Sequence, residues 1–183
     1  MSKQEVGYET PPISDLLTLL LKNRRPTGAY NEVWPNIYIS DAPTARDKTL
    51  LCRLGITHIV NAAHGPAHID TGADFYSDAN IEYYGVEAPD RKDFDITPFF
   101  YPTASFIHKA LLLCVKVLVH CARGVSRSAT LVLAYLMINE KLTVAEAISA
   151  VCANRNILPN AGFLQQLHQL DSKLNLQRRD GSH

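Results

Sequence analysis

What this chain lacks narrows what it can be. No apolar run approaches the roughly 20 residues a helix needs to cross a bilayer; the strongest two, 16–21 and 129–138, are far shorter and read as buried helices. No two cysteines stand in CxxC spacing. The four, Cys52, Cys114, Cys121 and Cys152, are scattered, which leaves neither a metal clamp nor a dithiol redox pair. The opening residues, MSKQEVGYET, hold no apolar segment of the kind a secretory signal needs. The expectation is an intracellular protein with reduced thiols, cytoplasmic and with the nucleus also open to it. Neither sign of charge is in excess: 18 Lys and Arg against 18 Asp and Glu give a net charge of zero. No global field favours nucleic acid or an anionic membrane, neither is expected as a partner, and any anion site must be built locally.

What is present is the material of an ordinary domain, 46% apolar and 20% charged over 183 residues, enough for one core with tails. Ser14 and Asp15, cap-type residues after Pro11 and Pro12, introduce an apolar stretch to Lys22, predicting a short helix with a basic end. Residues 36–40 (NIYIS) read as a strand, 44–54 as a helix stopped by Gly55, and 56–63 (ITHIVNAA) as a β-branched strand. A long loop over 64–78, holding Gly65, Pro66 and Gly72, precedes a strand over 81–87. A charged loop (Asp90, Arg91, Lys92, Asp93) follows, and Thr97 and Pro98 start a helix to Leu113 with Pro102 in an irregular first turn. KVLVH (116–120) is a buried strand, and 126–139 is apolar nearly all round, as a central helix is. Thr143 and Glu146 have capping-box spacing, and Asn160 caps a last helix that turns Phe163, Leu164, Leu167, Leu170 and Leu174 inward. Strands and helices alternate without repeats, which predicts one α/β domain with helices against a mainly parallel sheet.

The informative segment is 120–128, HCARGVSRS, between a buried strand and a buried helix. A loop entering a helix N-terminus offers unpaired N–H groups and the positive end of the helix dipole, a ready-made phosphate site. The phosphate-binding loop comprises His120, Ala122, Arg123, Gly124, Val125 and Ser126 around Cys121. Gly124 lets it curl, and the same field lowers the pKa of Cys121, whose sulfur can attack phosphorus to give a phosphocysteine. Arg127, six positions on, has the planar fork to hold two phosphoryl oxygens. Ser128 can donate its hydroxyl to the sulfur, and His120 is read as ordering the loop. An acid must protonate the leaving group; Asp90 is the first candidate, with Asp93 and Asp95 competing.

These residues, together with NEVWPNIYIS, LGITHIVNAAHG, GVEAPDRKDFDI, VLVHCARGVSRSATLVLAYLM and NRNILPNAGFLQQL in that order, resemble the cysteine-dependent protein tyrosine phosphatase superfamily. Within it the likeness is to the small atypical dual-specificity phosphatases, the muscle and testis members in particular. The resemblance implies Cys121 as nucleophile, Arg127 as phosphate binder, Ser128 as hydroxyl partner of the thiolate and Asp90 as general acid. It also implies a five-stranded sheet flanked by helices, no metal, no cofactor, and a pocket shallow enough for phosphoserine and phosphothreonine. The chain divides into an N-terminal helical extension (1–30), a catalytic domain (31–174) and a flexible polar tail (175–183). Arg155 stands where similar enzymes bind a second phosphate. The expected partners are phosphorylated proteins, protein kinases of MAP-kinase pathways among them, and a homodimer is left open. The MAP-kinase docking domain of larger members is not expected. One departure is LLLCV (111–115), where relatives carry a polar turn; it predicts either a tight buried turn or an irregular one.

The remaining features have duller readings. His64 and His68 lie in a Gly/Pro loop without a third ligand, so zinc is disfavoured. Trp34 is a packing anchor. Cys52, Cys114 and Cys152 fall in apolar-periodic segments and are expected to be buried and inert. The leucines of 16–21 either pack on the domain or form a dimer contact. Two rival functions are a phosphoprotein-binding pseudophosphatase, disfavoured by the joint presence of Cys121, Arg127 and Asp90, and a phosphatase of lipids, sugars or RNA 5′ ends, disfavoured by a loop with only Arg123 as extra cation.

Overall fold

The structure, a computed structural model, describes residues 7–181. Helix α1 (Ile13–Leu21) starts ahead of its cap-type residues: Pro12 is the N-cap, and Asp15 lies in the first turn, where a carboxylate suits the helix dipole. Strands β1 (Tyr30–Trp34) and β2 (Ile37–Ser40) form an antiparallel hairpin of which only β2 was legible. Its turn places Asn36 at φ +70°, a conformation asparagine tolerates, and the Glu32 carboxylate accepts the Asn36 N–H at 2.9 Å.

The helix predicted over 44–54 is two helices, α2 (Ala42–Arg46) and α3 (Lys48–Leu54). Asp41 caps the first through Thr44 N at 3.0 Å and Asp47 the second through Leu50 N at 3.1 Å. An aspartate that caps one helix thus ends the other. Strand β3 (Ile56–Asn61) follows, then helix α4 (Gly72–Phe75) and a single 3-10 turn, Ser77–Ala79, inside the expected loop, before β4 (Glu82–Gly85). A second 3-10 turn, Thr97–Phe99, leads into α5 (Phe100–Leu112). Thr97 caps nothing there; its hydroxyl donates to Asp95 at 2.6 Å. Strand β5 (Lys116–His120), α6 (Arg127–Asn139), α7 (Val144–Cys152) and α8 (Ala161–Gly181) complete the chain.

The sheet order is β1-β2-β5-β3-β4, parallel except at the β1 edge. Successive strand residues face opposite layers: Ile37, Ile39, Val60, Val117 and Val119 enter the larger core with α1 and α5 to α8, while Tyr38, Ile59 and Leu118 meet Ala45, Leu51 and Tyr76 on the other face. Covered on both faces, the central strands read as apolar runs. Helix α6 is buried from Arg127 to Met137, which explains its lack of a polar face. The capping box of Thr143 with Glu146 forms as predicted, and Asn160 Oδ1 accepts Phe163 N at 2.8 Å.

Two expectations need correction. Within the described residues the stretch after Asn175 is not a tail: α8 continues to Gly181, because its polar residues find partners, Asn175 Nδ2 on Tyr8 O (2.9 Å) and Arg178 on Met137 O (2.7 Å); residues 182 and 183 of the expected tail lie outside the described residues. Cys52 and Cys114 are exposed and Cys152 is half-buried; the short α3 buries Leu51 and turns Cys52 outward. Of the two readings of 111–115, the irregular turn is the one that forms, open to solvent, with Cys114 at φ +59° and Leu112 and Leu113 each 68% exposed. The leucines of α1 divide, Leu16 and Leu20 packing into the main core while Leu17 and Leu21 remain at the surface.

Candidate active site

The site forms where β5 ends and α6 begins, at the carboxyl edge of the parallel strands, where open α/β sheets take ligands. His120 is fully buried. Its Nδ1 lies 3.2 Å from Cys121 O, and burial drives its pKa from 6.5 down to about 4. The ring is therefore neutral near pH 7 and orders the strand end. Beyond it the loop is held from several sides: Ala42 N donates to Ala122 O at 3.0 Å and Leu158 N to Val125 O at 2.8 Å. Gly124 sits at φ +72°, and a Cβ there would stand 2.6 Å from Ser40 O. Only glycine fits between the loop and the end of β2.

Cys121 is 3% exposed. Burial by itself pushes its thiol pKa up. The Ser128 hydroxyl, 3.2 Å from Sγ, the Ser128 backbone, the Arg127 charge and the Gly124 N–H, 3.3 Å from Sγ, together outweigh burial and bring it below its ordinary value. Arg127 is held by Ala88 O, which its Nη1 meets at 3.0 Å, and its buried Nε has no protein partner. A buried donor left over in a loop of N–H groups fits an oxyanion.

Asp90 arrives from the loop after β4 and is fixed by two donors on Oδ1, Ser126 Oγ and Asn160 Nδ2, each at 2.9 Å. Ser126 Oγ in turn accepts Asn160 N at 3.0 Å. Asp90 shares with Cys121 a cavity of about 520 Å³; Asp93 and Asp95 do not line it. Asp93 pairs with Arg91 at 3.0 Å and Asp95 takes Thr97 N at 3.1 Å. Of the three carboxylates, Asp90 is the one that lines the cavity of Cys121. Ala122, Arg123, Val125, Ser126 and Arg127 line the same cavity.

Arg155 is not the free docking group expected for a second phosphate. It is 4% exposed. Its guanidinium lies beneath the loop and donates to Gly124 O (2.9 Å), Arg123 O (3.1 Å), Gly28 O (2.8 Å) and Asn31 Oδ1 (2.7 Å). It is a strut that holds two loop carbonyls.

Several residues that shape the site escaped the sequence reading. Asn160 was legible as a helix cap, yet its side-chain N–H₂ also holds Asp90. Gln166 grips the chain beyond Asp90 twice, accepting Ile96 N and donating to Phe94 O, both at 2.9 Å. Gly162 admits that chain: a Cβ would meet Lys92 O at 1.9 Å. Ile13 and Leu17 of α1 line the cavity. Spacing along the chain signals none of these. His64 Nδ1 pairs with Tyr83 OH at 2.6 Å, and among the described residues no three His, Cys, Asp or Glu side chains gather as a metal would require.

A lowered-pKa thiol, an adjoining arginine with an unpaired buried N–H, and a carboxyl lining the same cavity are the groups that attack of sulfur on a phosphoryl group with protonation of the leaving oxygen would use. Comparison with known proteins agrees. The model of the dual specificity phosphatase catalytic domain matches residues 37–173. The chain is 52% identical over 173 residues to human dual specificity protein phosphatase 13B, covering 93% of this chain and 87% of the relative. It is likewise 52% identical over 169 residues to the mouse protein of that name, covering 91% and 85%. Human DUSP28 superposes with a TM-score of 0.71 at 26% identity, over 81% of this chain and 97% of that one. This chain belongs to the dual-specificity phosphatases, the protein phosphatases that hydrolyse phosphotyrosine as well as phosphoserine and phosphothreonine.

Proposed function

We propose that hydrolysis runs through a phosphocysteine on Cys121, with Arg127, Asp90 and Ser128 in the roles their positions suggest. The loop N–H groups and Arg127 hold the equatorial oxygens. Thiolate Sγ attacks phosphorus, the bond from phosphorus to the substrate oxygen breaks, and Asp90 donates its proton to that oxygen. Water then attacks the phosphocysteine, Asp90 takes its proton, and the sulfur leaves as a thiolate supported by the Ser128 hydroxyl. The carrying observation is that Cys121, although buried, has a lowered pKa and shares one cavity with a tethered Asp90. The proposed substrates are phosphoproteins of the cytoplasm and nucleus, kinases of MAP-kinase pathways among them.

The test is hydrolysis in EDTA of phenyl phosphate and of phosphotyrosyl and phosphothreonyl peptides. Turnover of all three is expected, lost in Cys121→Ser, with acid quench during steady state trapping one phosphate per chain on cysteine. Turnover surviving in Cys121→Ser, or no trapped phosphate, would overturn the mechanism.

A further inference from the structure

Helix α1 carries two apolar stripes, and the fold consumes one. Leu16 and Leu20, four residues apart on one face, are buried in the main core. Ile13 and Leu17, four apart on the neighbouring face, line the cavity that holds Cys121, and Leu17 remains 37% exposed. Leu158, Ala161 and Leu164 line the same cavity, so a continuous apolar wall adjoins the phosphate loop. The helix is fixed at both ends. Before it, the Tyr8 and Thr10 hydroxyls each donate to the buried Asp171 carboxylate at 2.6 Å. After it, Arg24 Nη1 donates to Leu20 O (2.8 Å) and Ile157 O (3.0 Å). Residues 13 and 17 lie outside the matched catalytic domain, 37–173; the extension completes the cleft.

We propose that Ile13 and Leu17 form, with Leu158 and Leu164, a specificity subsite for an aliphatic or aromatic side chain next to the phosphorylated residue of the substrate. The occupant follows from continuity: a peptide whose phosphate rests on the loop must lay its adjoining residue along the cavity wall, and an apolar wall rewards an apolar residue. The inference rests on the phosphoprotein reading of the same site.

The experiment uses phosphothreonyl peptides, which bring no ring of their own to the wall, with Leu, Ser or Asp at the residue before or after the phosphothreonine. Phenyl phosphate is run in parallel. For the full chain, kcat/KM is expected to be roughly tenfold higher with Leu than with Ser at one of the two positions. In Leu17→Asn that ratio should collapse towards one, and Leu17→Met should restore it. Turnover of phenyl phosphate and peptides without any Leu preference would overturn the subsite and leave the phosphatase reading standing. A preference for Asp would overturn it too, by showing that Arg24 and Arg123 at the cavity select the neighbour. No turnover of any substrate would instead be failure of the catalytic reading.

Discussion

Replacing Arg155 by Met separates a strut from a substrate-binding group. The change keeps the apolar stem and removes a guanidinium that makes four hydrogen bonds, three of them to the backbone carbonyls of Gly28, Arg123 and Gly124. Hydrogen bonds from a charged donor contribute about 1.5–3 kcal/mol each. Part of that sum is offset, since Met no longer requires a buried cation. A net loss of roughly 3–5 kcal/mol remains, a large share of the ~5–15 kcal/mol that holds an ordinary domain together. Urea unfolding should show it as a lower midpoint at unchanged slope. Because the released carbonyls belong to the phosphate loop, kcat/KM for a singly phosphorylated substrate should fall as well. Arg155→Lys should recover little, since one ammonium cannot span four acceptors. An unchanged urea midpoint, with losses confined to doubly phosphorylated peptides, would refute the reasoning and return Arg155 to the substrate.

Four further outcomes follow from the site. Ser128→Ala should raise the Cys121 pKa and slow breakdown of the phosphoenzyme, lowering kcat by about 10- to 100-fold; alkylation by iodoacetate against pH checks the first, and an unmoved midpoint would discount the 3.2 Å contact. Asp90→Asn should cost roughly 100-fold or more with alkyl leaving groups, with far less effect on good aryl leaving groups. Asn160→Ala, which removes one of Asp90's two tethers, should give a weaker version of the same signature; equal losses with both leaving groups would point to general unfolding. His120, with its pKa lowered by burial from 6.5 to about 4, binds its proton more readily in the unfolded chain. Stability should therefore rise with pH across about 4 to 6.5 and be lost as pH falls through that window, by roughly 3 kcal/mol in all. Urea midpoints at several pH values, set against those of His120→Asn, measure this; parallel curves would contradict it.

Where the sequence was legible, the cause is short in range. The apolar strand KVLVH, the Thr143–Glu146 capping box, the Asn160 cap and Gly55 closing a helix each depend on residues within a few positions. So does the catalytic loop: a cysteine, a glycine that can take φ +72° and an arginine six places on bring their own chemistry to a strand-to-helix turn. The split at Asp47 was missed because a capping aspartate inside an apolar-periodic stretch looks like an exposed helix residue until the next helix changes direction. Strand β1 was missed because an edge strand in a short hairpin keeps little periodicity.

Residues distant in the chain meet only after packing, and packing chose among candidates that sequence left equal. Asp90, unlike Asp93 and Asp95, lines the cavity that holds Cys121, where Ser126 and Asn160, 36 and 70 positions away, tether its carboxylate. Arg155, with the composition of a surface cation, turned inward because unpaired loop carbonyls lay within its reach. Two apolar stripes on α1 divided into core (Leu16 and Leu20) and cavity wall (Ile13 and Leu17) as the helix packed against α7 and α8. The loop from Cys121 to Arg127 and the helix caps act over one or two turns of chain and are written locally. The placement of Asp90, the Arg155 strut and the cavity wall rest on side chains brought together by burial of a shared core, whose relative placement no local spacing encodes.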